Sequence, residues 1–166
     1  MANLLSGLRL ALALPFALLM LRASPLSSVL FCIAISTDLL DGLVARRTRG
    51  ETPLGRVLDH VADVTFVEAG LLAAAQRGLV PIVLPIVVGF AFAQYVIDSR
   101  FQLLRTGLRM NSLGRTNGIL YFFPLGGVLL VDLGMGWLVA PIGWLAWALV
   151  LSTAASMLDR LAALRG

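Results

Sequence analysis

Asp38-Leu39-Leu40-Asp41-Gly42-Leu43-Val44-Ala45-Arg46, then eight residues, then Gly55-Arg56-Val57-Leu58-Asp59-His60-Val61-Ala62-Asp63, is the stretch from which the fold is read. Four of the chain's nine acidic residues are the aspartates of these two strings, and both strings run outward into apolar sequence. At roughly 100° per residue, Asp38, Asp41, Gly42, Ala45 and Arg46 fall within an arc of about 140° on one helix face. On the same rule Gly55, Asp59 and Asp63 fall within about 80° on a second helix. Between them, Gly50 and Pro53 are turn signals, and Pro53 suits the first turn of a helix, where its missing N–H costs nothing. The stretch therefore reads as helix, short basic loop, helix, with four carboxylates facing one another across the hairpin. Unpaired, those charges would repel and raise each other's pKa. Divalent cations with oxygen ligands would remove that penalty. Gly42, Ala45 and Gly55 on the same faces either leave room for a ligand or let the helices approach closely. A buried set of ion pairs is the competing reading, but four acids outnumber Arg46 and its neighbours on that face.

Outward from this hairpin the chain is apolar. It has 166 residues, 59% of them hydrophobic and 13% charged. A soluble domain of that size carries more polar surface, and several apolar runs approach the ~20 residues that cross a bilayer. The net charge of +4 comes without a single lysine and without aromatic residues interleaved among the arginines. A membrane-surface role for the arginines fits better than nucleic acid, which is not expected as a partner. Cys32 is the one cysteine, which excludes an intrachain disulfide and a cysteine zinc site.

Six helices are expected, over 8–21, 26–47, 53–75, 79–104, 117–131 and 137–158, so the fold class is all-α and polytopic. The first run has the length of a signal peptide, but Arg9 is its only early charge and Arg22-Ala23-Ser24-Pro25 is a poor cleavage site. Pro81 and Pro85 are expected in the first turns of the fourth helix, and Trp137 and Trp144 at a membrane interface. Six crossings put both termini on one side. Arg46, Arg47, Arg49, Arg105, Arg109, Arg115, Arg160 and Arg165 fall on that side, against Arg22 and Arg77 on the other. The positive-inside rule then places the termini and the aspartate hairpin in the cytoplasm, with the site at the cytoplasmic ends of the second and third helices.

The pattern D-x2-D-G-x2-A-R-x8-G-x3-D-x3-D resembles the signature of the CDP-alcohol phosphotransferases, and all eight of its fixed positions stand here within 26 residues. The resemblance implies one membrane domain over 1–166, in a bacterial inner membrane, that moves a phosphatidyl group from a CDP-linked donor to an alcohol with release of CMP. It implies two Mg2+ ions, or Mn2+, held by Asp38, Asp41, Asp59 and Asp63, with Asp63 also the general base. Asp38, Gly42, Ala45, Arg46, Thr52 and Gly55 would contact or make room for the CDP donor, and CDP-diacylglycerol is the donor expected. Asn3-Leu4-Leu5-Ser6-Gly7-Leu8-Arg9, followed by Pro15, resembles the N-terminus of phosphatidylglycerophosphate synthases, so glycerol 3-phosphate is the first acceptor to consider. Inositol phosphate, serine and phosphatidylglycerol stay open, because Ser112-Leu113-Gly114-Arg115 is continued by Thr116-Asn117-Gly118 rather than by the Lys-Thr of glycerophosphate-using members, and Arg100 is followed by Phe101. Arg105, Arg109 and Arg115 read either as a pocket for an acceptor phosphate or headgroup, or as a topology signal alone. The resemblance also implies a homodimer among membrane lipids. His60 points about 100° away from Asp59 and reads as a packing residue. A divalent-cation transporter is the reading from another class, but it predicts acids spread over several helices at midplane depth.

Overall fold

The computed structural model describes residues 2–48, 53–102 and 112–163, with side chains described over 6–37, 59–96 and 116–162. Among the described residues the chain is helical, with no strand. The elements run α1 (Ala2–Leu21), α2 (Leu26–Thr48), α3 (Pro53–Gln76), α4 (Val83–Gln102), α5 (Ser112–Leu120), α6 (Phe122–Asp132), a 3-10 turn (Gly136–Leu138) and α7 (Val139–Ala163). The first three expected helices are present as α1, α2 and α3.

Several boundaries differ from expectation: α1 begins at Ala2, α5 at Ser112, and α7 runs on to Ala163; prolines explain two of the others. The fourth helix begins at Val83 rather than near Leu79, because Pro81 pushes Val80 out of the helical region and Leu84 closes a turn back onto the Pro81 carbonyl at 3.0 Å. Pro85 remains in the first turn, where it is tolerated. The expected fifth helix is two, broken at Tyr121. Pro124 has no N–H to donate to the Leu120 carbonyl, so the ladder is interrupted there. The last helix starts after a 3-10 turn that contains Trp137 and continues to Ala163.

Packing is densest between α1 and α3. Phe16 of α1 stacks on Phe66 of α3 with ring centroids 4.5 Å apart and planes 12° apart, and Phe31 of α2 lies 6.0 Å from Phe16. Gly70 lets α1 and α6 come this close to α3. A Cβ there would sit 2.6 Å from Phe16 Cε1 and 2.9 Å from Leu125 Cδ2, both fully buried residues. The outer surface is also apolar: Leu14, Phe90, Trp144 and Leu151 are all more than 60% exposed. Among the described residues one helix, Gly136–Ala162, is long and apolar enough to cross a membrane. Ser6–Leu21, Leu26–Thr37, Val83–Val96 and Thr116–Asp132 are shorter apolar stretches.

The C-termini of α1, α3 and α6 meet at one end of the bundle. Each closes with the same paired hydrogen bonds, and the residue after the cap is left-handed: Ala23 at φ 49°, Gly78 at φ 72° and Gly134 at φ 102°. Ala23 has a Cβ in a conformation that disfavours one, so it carries local strain. Arg77 ties the three ends together. It donates from Nη1 to the Met20 carbonyl at 2.8 Å and grips Asp132 through two hydrogen bonds of 2.9 and 2.5 Å. A guanidinium among three helix C-termini also meets their partial negative charge.

Candidate active site

Helix spacing places Asp59 and Asp63 one turn apart on α3, and the structure brings α1 onto that face. Ser6 Oγ donates to Asp59 Oδ1 at 3.2 Å. Arg9 Nη1 donates to the same oxygen at 3.4 Å and is also ion-paired with Asp63 Oδ1. The Arg9 side chain is 1% exposed, whereas Asp59 and Asp63 are 41% and 28% exposed. The carboxylates are therefore held from the α1 side and open on another. Two carboxylates converged on one cation are oxygen donors of the type a hard divalent ion takes, although among the described residues no third metal-ligating side chain joins them.

Asp38, Asp41, Gly42, Ala45 and Arg46 lie on the last three turns of α2, and Gly55 on the first turn of α3, so the backbone puts both strings on helices as the spacing predicts. Their side chains, and all of Thr52, Arg105 and Arg109, lie outside the described residues. Arg115 is on α5, with its side chain likewise outside them.

His60 packs as its angle predicts, with its ring 4.7 Å from Tyr95 and 5.7 Å from Phe92 of α4. Arg160 of α7 lies 5.8 Å above the other neighbour of this group, the Tyr95 ring. Its guanidinium fills the space that a Cβ on Gly114 would need. An arginine that sequence reasoning counted only toward topology thus stands against the segment carrying Arg115. Below it, Thr153 accepts from Asn117 Nδ2 at 3.4 Å and bonds the Tyr121 hydroxyl at 2.7 Å while donating to the Leu149 carbonyl, which fixes α5 and α7 in register.

Ser6 and Arg9 belong to the N-terminal string of the resemblance, but helix spacing alone does not bring them to the aspartates. Their signal was present: Arg9 is the one charge inside the first apolar run, and it lies three residues after a serine. Glu68 is a third acidic side chain on α3 that the motif does not include. It lines a cavity of about 330 Å3 between α3 and α4, and its Oε2 is buried without a hydrogen-bond partner among the described residues.

A bundle of apolar helices with an aspartate pair one turn apart, after a second pair on the preceding helix, defines a class. The chain matches the CDP-alcohol phosphatidyltransferase family over residues 1–155 and belongs to it, so it is a phosphatidyltransferase. It is similar to a cardiolipin synthase (CMP-forming) of Streptomyces coelicolor, with 34% identity over 158 residues, covering 88% of this chain and 72% of that one. It is 33% identical over 133 residues to a CDP-diacylglycerol–glycerol-3-phosphate 3-phosphatidyltransferase of Bacillus subtilis, covering 78% of this chain and 68% of that one. A Salmonella choleraesuis protein of the same name is 39% identical over 64 residues, 39% of this chain and 33% of its own. No solved structure matches.

Proposed function

We propose that the chain, as one domain over 1–166, moves the phosphatidyl group of CDP-diacylglycerol to glycerol 3-phosphate. The observation that carries the chemistry is the Asp59–Asp63 pair, converged on one cationic nitrogen and open on another side. Asp38 and Asp41 of α2 would complete the set and hold Mg2+ with them. Divalent ions bound there would neutralise the carboxylates and the charge that builds on the transferring phosphoryl group. Asp38, Gly42, Ala45, Arg46, Thr52 and Gly55 receive the CDP part, the small residues by leaving room and Arg46 by its fixed charge. The acceptor oxygen forms a bond to the phosphorus that carries the diacylglycerol, and its proton passes to a carboxylate oxygen of Asp63. The bond from that phosphorus to CMP breaks, and CMP leaves.

Two observations favour a phosphorylated acceptor. Arg160 stands against Gly114, the residue that precedes Arg115 in the sequence, and so brings a described cation to this segment. The relative in Bacillus subtilis is named for glycerol 3-phosphate. The Streptomyces relative, named a cardiolipin synthase, supports a second reading with a lipid acceptor. We place the protein in a membrane with six crossings, α5 and α6 counting as one, and with both termini and the site cytoplasmic. A homodimer is part of this reading by family resemblance. The test incubates purified protein with radiolabelled CDP-diacylglycerol and glycerol 3-phosphate, inositol phosphate, serine or phosphatidylglycerol. Glycerol 3-phosphate should release CMP fastest. A faster release with phosphatidylglycerol would transfer the assignment to the second reading, and no stimulation by any alcohol would remove both.

A further inference from the structure

We infer that Arg9 is the cation of the metal-free site and that a divalent ion binds by exchange with it. The inference rests on the reading of Asp59 and Asp63 as metal ligands and adds a positioning residue to that site. A single atom, Arg9 Nη1, is shared between Asp59 Oδ1 and Asp63 Oδ1. An ion held by the α3 aspartates would draw on the same two carboxylates, so ion and guanidinium compete for their negative charge. Arg9 is also not a surface arginine with its head in water: its side chain is 1% exposed in the middle of the α1–α3 packing. A charge withdrawn so far from water is tolerable only beside opposite charge, and Asp59 and Asp63 supply such charge here.

The consequences run in opposite directions. Without metal, Arg9 and the Ser6 hydroxyl hold two like charges together one turn apart on α3, which otherwise repel. With metal, the guanidinium is a like charge next to a dication and weakens its binding. Asp59 and Asp63 keep open surface away from α1, which gives the ion an approach that does not require α1 to leave.

The test uses the full chain in nanodiscs and Mn2+ as the probe, with free Mn2+ counted by electron paramagnetic resonance. Arg9→Met keeps an unbranched apolar stem and removes the charge; Arg9→Lys keeps the charge. R9M should bind Mn2+ about tenfold more tightly than wild type, as loss of one nearby positive charge predicts. R9K should stay close to wild type. R9M should also melt earlier in EDTA and gain more from Mn2+ than wild type does. If R9M binds Mn2+ with unchanged or weaker affinity while wild type binds it saturably, the exchange is wrong and the metal site stands. If wild type binds no Mn2+, both fall. Wild-type protein gives a second readout should R9M not fold. The Arg9 15Nε resonance, assigned by its loss in R9K, should shift when Mg2+ is added; a resonance that stays in place overturns the inference.

Discussion

Replacing Arg77 with methionine removes a side chain that joins the ends of α1, α3 and α6. The variant leaves the Asp132 carboxylate, 3% exposed, without its bidentate partner, and leaves the Met20 carbonyl without its 2.8 Å donor. An unpaired buried carboxylate costs about 3–5 kcal/mol when its partner is removed. Arg77 itself is 18% exposed, so water reaches the pair and the lower end of that range applies. At ~2–4 °C per kcal/mol for a chain of this size, the melting temperature should fall by about 6–12 °C. Arg77→Lys should recover only part of the loss, because an ammonium cannot make two parallel bonds to one carboxylate. Thermal unfolding in detergent, followed by tryptophan fluorescence, reads this out, and Trp137 lies on the turn that follows Asp132. Arg77 is about 20 Å along the helix axis from Asp63, so turnover well below the melting temperature should be unchanged. A shift under 2 °C, or lost turnover in a variant that melts like wild type, would refute the structural role assigned to the clasp.

Ala23→Gly relieves the left-handed alanine at the end of α1 and should stabilise the protein by about 1 kcal/mol, measured by the same unfolding experiment. Gly70→Ala drives a Cβ against Phe16 and Leu125 and should destabilise by ~1–3 kcal/mol. If Gly70→Ala melts like wild type, the close approach of α1 and α6 to α3 is wrong.

Much of this organisation is legible in the sequence because it is local. Asp59 and Asp63 share a face by helix spacing alone, and Pro53, Gly78 and Gly134 punctuate the helices where their backbone chemistry says they should. His60 is turned from that face by the same arithmetic and meets Phe92 and Tyr95. The misplaced boundaries are local as well: Val80 before Pro81 and Leu120 four residues before Pro124 are readable effects that a count of apolar residues passes over. What the sequence does not disclose is tertiary. Arg9 and Asp59 are 50 residues apart, and only the packing of α1 on α3 joins them. Arg77 and Asp132 read as separate loop charges, although two loops on the same side of the bundle can bring such charges together. Glu68 lies in an apolar stretch and shows its isolation only once α4 is placed beside α3.

Whether the α3 aspartates do their work with a divalent ion is the most direct question to put to the protein. CMP release from CDP-diacylglycerol and glycerol 3-phosphate should be measured before chelation, after exhaustive chelation, and after return of Mg2+, with Asp63→Asn in parallel. Chelation should abolish release, Mg2+ should restore it, and Asp63→Asn should lower it by about 10²–10⁴-fold. Sustained release without divalent ions, or an Asp63→Asn enzyme within a few-fold of wild type, would contradict the account.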